Sequence, residues 1–197
     1  FDLDGVLVDA CDWHYEALNR ALKEVTGYEI PREDHETTYN GLPTLVKLQS
    51  LSEKKLISKK DIEAVSELKQ DITVDVIEEL CNTDEDKVKL MINLKFSGYK
   101  VACVTNSITK TASLMLEKTG ILGFMDCLIS NEDVINSKPH PEGYIKAMIL
   151  LNSLPENTII VEDSPKGLTA AGLTGCKVIK VKNAKEVTRR LTEEKVI

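Results

Sequence analysis

Five short runs of the chain are apolar on both faces: residues 1–3, 100–105, 127–129, 158–162 and 177–181. A strand that is apolar on both sides must be covered on both sides, as in a parallel sheet lined by helices. Between the later runs the spacing of apolar residues becomes helical. Ile108, Ala112, Met115, Leu116 and Thr119 share one face, and Gly120 supplies a stop. Ile145, Met148 and Ile149 mark another helix, with Pro141 near its start. Ser164 followed by Pro165 reads as an N-cap with proline at the first helical position. Asn183 with Glu186 resembles a capping box before the last helix. Alternating strand and helix predicts an α/β fold, a Rossmann-like, doubly wound parallel sheet.

One stretch breaks the alternation. From Cys11 to Cys81 the pattern holds no convincing strand. A helix over 13–25 places His14, Leu18, Ala21 and Val25 on one face, and a second over 43–51 uses Leu45, Leu48 and Leu51. A third, opened by Ser58, turns Ile62, Val65, Leu68, Ile72, Val76 and Leu80 inward. So long a crossover is better read as an inserted helical domain than as a loop. The expected organisation is an α/β core of residues 1–10 and 82–197 around a helical cap of residues 11–81.

Composition narrows the function classes. The chain has 197 residues, 42% hydrophobic and 29% charged, which fits a globular protein rather than a disordered one. Its longest apolar runs, such as 147–151, fall far short of the ~20 residues of a membrane span. The net charge of -7 disfavours nucleic acid as a general partner. No obligate protein partner is evident. Five scattered cysteines, without C-x-x-C spacing, argue against a disulfide framework and a structural zinc site. A reducing, cytoplasmic setting is the default expectation. Phe1 already lies inside a strand run, whereas buried strands usually span about five residues. The native chain is therefore expected to begin several residues earlier.

Four polar clusters sit at or near the ends of core elements. The opening Phe1-Asp2-Leu3-Asp4-Gly5 ends a strand with two carboxylates on one side, because side chains alternate with period two. In open α/β sheets, ligands bind at the carboxyl ends of the strands. Val104-Thr105-Asn106-Ser107 ends the second strand with hydroxyl and amide groups. A helix N-cap at Asn106 or Ser107 would also account for that sequence. Lys138-Pro139-His140-Pro141 puts a lysine before a stiffened helix start, and Glu162-Asp163-Ser164 ends another buried strand with two carboxylates.

These four pieces, in this order, resemble the haloacid dehalogenase superfamily, on its phosphatase and phosphomutase side. The helical insert resembles the subgroup of β-phosphoglucomutase and related sugar-phosphate phosphatases. The resemblance implies that Asp2 attacks phosphorus and that Asp4 serves as general acid and base. It implies Mg²⁺ held by Asp2, the Asp4 backbone carbonyl and Asp163, with Glu162 acting through water. Thr105, Asn106 and Lys138 would bind the phosphoryl oxygens. His14 resembles a cap histidine that aids proton transfer, and Gly41-Leu42-Pro43-Thr44 a substrate-facing loop. The mutase pattern would place an arginine near Thr44 or Leu45, and neither is basic. The reading is a Mg²⁺-dependent hydrolase of a small phosphorylated metabolite, a sugar phosphate by resemblance. Its alternatives are a phosphosugar mutase and a binding protein on the same fold.

Overall fold

The computed structural model describes residues Phe1–Ile197. The chain divides into two compact units, one of Phe1–Asp9 with Cys81–Ile197 and one of Ala10–Leu80. The first unit contains strands β1 (Ala102–Val104), β2 (Cys127–Ile129), β3 (Ile159–Glu162) and β4 (Lys177–Lys180). The second contains helices α1 (Cys11–Thr26), α2 (Arg32–Asp34), α3 (Thr44–Glu53) and α4 (Ile62–Leu80). The first unit's helices are α5 (Glu85–Phe96), α6 (Thr109–Thr119), α7 (Glu142–Leu151), α8 (Pro165–Gly172) and α9 (Val187–Glu193).

In the α/β unit, β1 pairs with β2 in parallel with Cys103 opposite Leu128. β3 pairs with β4 in parallel with Val161 opposite Ile179. The first two residues join the pairs. Phe1 N donates to Ala102 O at 2.8 Å, and Val104 N donates to Phe1 O at 2.8 Å. On the other side Asp2 N donates to Val161 O at 3.0 Å. The order is thus β2, β1, the opening segment, β3, β4. Residues 1–3, expected as a strand, form an extended segment without a ladder of their own. Only Phe1 and Asp2 have strand partners, because Leu3 O already accepts from Leu7 N and Val8 N at 2.9 Å as the chain turns. From this segment the chain steps to β1 on one side and later to β3 on the other. That is a topological switch point, where a crevice opens at the carboxyl ends of the strands.

Helix ends follow local chemistry. Asp84 opens α5 by accepting from Asp86 N and Lys87 N, a helix absent from the expectations above. Gly120, at φ 83°, closes α6. Ser164 accepts from Gly167 N and Pro165 occupies the first turn of α8, as its sequence predicts. Asn183 caps a short 3-10 turn, Ala184–Glu186, that precedes α9. No capping box closes there, because the Glu186 carboxylate accepts from Lys182 N instead. Val104, Ile129, Tyr144, Ala147, Ile160, Ala170 and Ala171 form a core between the sheet and α7 and α8. Ile149, expected on the apolar stripe of α7, is 72% exposed, whereas Tyr144 and Ala147 are buried. A cavity of about 310 Å³, lined among others by Phe1, Leu94, Val101, Tyr144, Ile160 and Leu191, opens at the amino ends of β1 and β3.

The helical unit has its own core of Leu18, Leu22, Ile30, Tyr39, Leu48, Leu51 and Val65. α1 ends at Gly27 in the left-handed conformation. After α2 the chain widens into a π-helical turn, His35–Tyr39, that buries His35 and Tyr39. Two leucines expected inward are not: Leu45 is 52% exposed and Leu80 is 49% exposed. Both lie in terminal turns, where fewer neighbours cover a side chain. Leu48 and Leu51, deeper in α3, are fully buried.

Candidate active site

The carboxyl ends of the opening segment, β1 and β3 bring six of the expected residues together. Lys138 lies at the centre. Its ammonium donates to Asp2 Oδ1 at 2.6 Å, Glu162 Oε1 at 2.6 Å and Val104 O at 2.8 Å. All three of its protons therefore have acceptors. The main chain of Lys138 is held as well. Asn106 Oδ1 accepts from Lys138 N at 3.0 Å, and Asn106 Nδ2 donates to Lys138 O at 3.1 Å. The Asn106 amide thus fixes the loop that delivers the lysine.

Asp4 faces the end of β1. Its Oδ2 accepts from Ser107 Oγ at 2.9 Å and more weakly from Thr105 Oγ1 at 3.4 Å. Thr105 Oγ1 in turn accepts from Ser107 N at 3.0 Å. Neither Asn106 nor Ser107 is the helix cap, since α6 starts after Ile108 with no side-chain cap. Their polar groups serve the site instead. The sequence placed Ser107 in the polar cluster after the second strand, but its contact with Asp4, which spans 103 positions, was not legible there.

Glu162 is fully buried and saturated. Oε1 accepts from Lys138 and from Tyr144 OH at 2.7 Å. Oε2 accepts from Asp163 N at 3.0 Å, Ser164 N at 3.2 Å and Ser164 Oγ at 3.2 Å. Five donors meet the roughly four lone-pair directions of one carboxylate. A Cβ at Gly167 would fall within 2.2 Å of both carboxylate oxygens, so the third residue of α8 must be one that lacks it.

Asp163 is the contrasting case. Its Oδ1 is buried without a hydrogen-bond partner. A Cβ on Gly5, which has φ +88°, would meet its Oδ2 at 2.2 Å. Gly5 therefore serves both the sharp turn and the close approach of Asp163.

The electrostatics are unbalanced. Burial and the adjacent Glu162 push Asp2 well above the usual carboxylate range, and Lys138 only partly offsets them. Burial and Glu162 likewise raise Asp163 to about 6. Burial alone would lower the Lys138 ammonium, but Asp2, Tyr144 and Glu162 drive it well above its ordinary value. One cation faces three crowded carboxylates. Ligand oxygens of Asp2, Glu162 and Asp163 all lie within 4.8 Å of one another. An orphaned carboxylate oxygen and an all-oxygen donor set fit a hard divalent cation.

His14 and the loop Gly41–Thr44 belong to the helical unit. There His14 Nδ1 lies 3.3 Å from Lys69 Nζ. Gly41 takes φ 73°, and Leu42 N donates to Tyr39 O at 3.1 Å.

The chain is 28% identical over 182 residues to a putative pyrophosphatase PpaX of Caldanaerobacter subterraneus, covering 92% of this chain and 80% of that protein. It is 28% identical over 180 residues to a phosphorylated carbohydrates phosphatase of Thermotoga maritima, covering 91% and 82%. Among solved structures, a β-phosphoglucomutase from Clostridium difficile superposes with a TM-score of 0.81 at 24% identity, covering 100% of this chain and 97% of that one. This last likeness establishes the fold. The haloacid dehalogenase-like hydrolase family model matches residues 1–181, and the chain belongs to that family.

Proposed function

We propose that the protein is a Mg²⁺-dependent phosphatase of a small phosphorylated metabolite, acting through an aspartyl-phosphate on Asp2. The observation that carries this reading is the buried pair Asp2 and Lys138 beside the half-buried Asp163 at the switch point, with Asp163 Oδ1 unpartnered. Asp2, the Asp4 backbone carbonyl and Asp163 would hold the ion. Bound there, Mg²⁺ would offset the charge of the carboxylates and the phosphoryl group.

The protein's own residues supply the chemistry. A carboxylate oxygen of Asp2 attacks phosphorus, and the bond to the leaving oxygen breaks. The Asp4 carboxyl gives its proton to that oxygen. In the second half, Asp4 takes a proton from water as the water attacks phosphorus. The phosphorus–Asp2 bond breaks and inorganic phosphate leaves. Lys138 and Thr105 stabilise the phosphoryl oxygens, and Ser107 aims the Asp4 carboxylate. Glu162, with no lone pair left over, is assigned to bracing Lys138 rather than to the ion.

Named relatives act on pyrophosphate and on phosphorylated carbohydrates, so the substrate is sought in that range. A sugar phosphate remains the best reading. The test is phosphate release, with and without Mg²⁺, from sugar phosphates, phosphoglycolate, pyrophosphate and an aryl phosphate. Metal-dependent release from at least one monoester is expected. No release from any of them would contradict the reading.

A further inference from the structure

We propose that Tyr144 is a positioning residue, whose hydroxyl locks Glu162 so that Glu162 can hold the Lys138 ammonium against Asp2. The inference rests on the phosphatase reading above for what Lys138 does, but not for how Lys138 is held.

Three observations carry it. First, Tyr144 is 3% exposed and lies in the first turn of α7, the helix that follows the Lys138 loop. Its hydroxyl donates to Glu162 Oε1 at 2.7 Å, the same oxygen that accepts from Lys138. Second, the Lys138 ammonium sits 4.7 Å from the centroid of the Tyr144 ring. One side chain thus touches the lysine through its π face and braces the lysine's partner through its hydroxyl. Third, Glu162 Oε2 is fixed by Asp163 N, Ser164 N and Ser164 Oγ, whereas Oε1 has only Lys138 and Tyr144. Lys138 must shift its hydrogen bonds when a phosphoryl group arrives. During that exchange Tyr144 alone keeps Oε1 in place. Packing needs only the ring at this position, so the hydroxyl is the part the inference concerns.

The experiment compares the full-length protein with Tyr144→Phe and Tyr144→Leu. Turnover of an aryl phosphate with Mg²⁺ is one readout. The second is the rate at which a trace acetylating reagent labels Lys138, with exposed lysines as internal controls, mapped by peptide mass spectrometry. Tyr144→Phe keeps the ring, so its melting temperature should stay near that of the parent. Its kcat should fall about tenfold while KM changes less than about threefold, because one hydrogen bond to a charged group is lost near the reacting centre. Labelling of Lys138 should rise about threefold or more as the lysine's partner loosens. Tyr144→Leu should lose more kcat than Tyr144→Phe, since the ring contact also goes.

An unchanged kcat in Tyr144→Phe overturns the proposal, whatever happens to labelling. A lowered kcat with unchanged labelling also overturns it, since the hydroxyl would then act elsewhere than on Lys138. Absence of phosphate release from the parent protein would sink the phosphatase reading. Labelling would still decide whether the hydroxyl holds Lys138.

Discussion

Asp2 and Asp4 differ in what surrounds them more than in what they are. Asp2 lies against one lysine in a buried, electron-rich corner, while Asp4 accepts from two hydroxyls at the end of β1. Replacing Asp2 with Asn keeps its shape and removes the attacking charge. Turnover should fall at least ~10³-fold with folding intact. A near-normal rate in a preparation free of contaminating phosphatase would show that Asp2 is not the nucleophile. Gly5→Ala tests the metal reading separately, because the added methyl group would drive Asp163 from its place. The Mg²⁺ concentration needed for half-activity should rise at least about tenfold. An unchanged requirement would separate Asp163 from the ion. Asp2, Asp4 and Asp163 were legible because strand ends in an alternating fold converge on one crevice, and Lys138, in the loop before α7, through the family resemblance. Tyr144, and the pairing of Ser107 with Asp4, were not, because the partners lie on other elements and no spacing within a segment reveals them.

Short elements limited what the pattern could resolve. Every strand other than the opening segment was found within its apolar run, yet 100–105 shrank to three ladder residues in β1. Thr105 had left the ladder to serve the site, although its N–H still donates to Ile129 O. α5 leaves little signal in the sequence because its charged residues interrupt the apolar stripe. The structure shows that Lys87 is buried and donates to Ala184 O at 2.6 Å, so a charged residue occupies an inward position. The helix starts where Asp84 accepts two backbone N–H groups. Asp84→Ala should therefore cost about 1 kcal/mol in urea unfolding. Phosphate release should be unaffected, since Asp84 lies outside the site. No change in stability would mean that α5 does not depend on its cap.

On the scale of the whole molecule, stability and activity should respond to different triggers. In the helical unit, burial and the nearby Lys47 and Arg32 lower His35 to about 4 from 6.5. Its Nδ1 is buried without a partner, and its ring lies 4.6 Å from that of Tyr15. Between those two values the unfolded chain binds more protons than the folded one, so stability falls as pH drops below about 6.5. Moving from pH 7 to 5 should cost the parent about 2 kcal/mol more than His35→Phe, read from paired melting curves. Parallel curves would remove His35 from the acid response. Activity should respond to metal. EDTA should abolish turnover, Mg²⁺ should restore it, and Ca²⁺ should inhibit, because its looser shell misplaces the phosphoryl group. Full activity after exhaustive chelation would contradict the metal assignment. The aspartyl-phosphate on Asp2 is tested by mass spectrometry of the protein quenched in acid during turnover. One phosphoryl group is expected on the peptide that carries Asp2, and none in Asp2→Asn. Steady phosphate release with no adduct on Asp2, and undiminished release by Asp2→Asn, would contradict it.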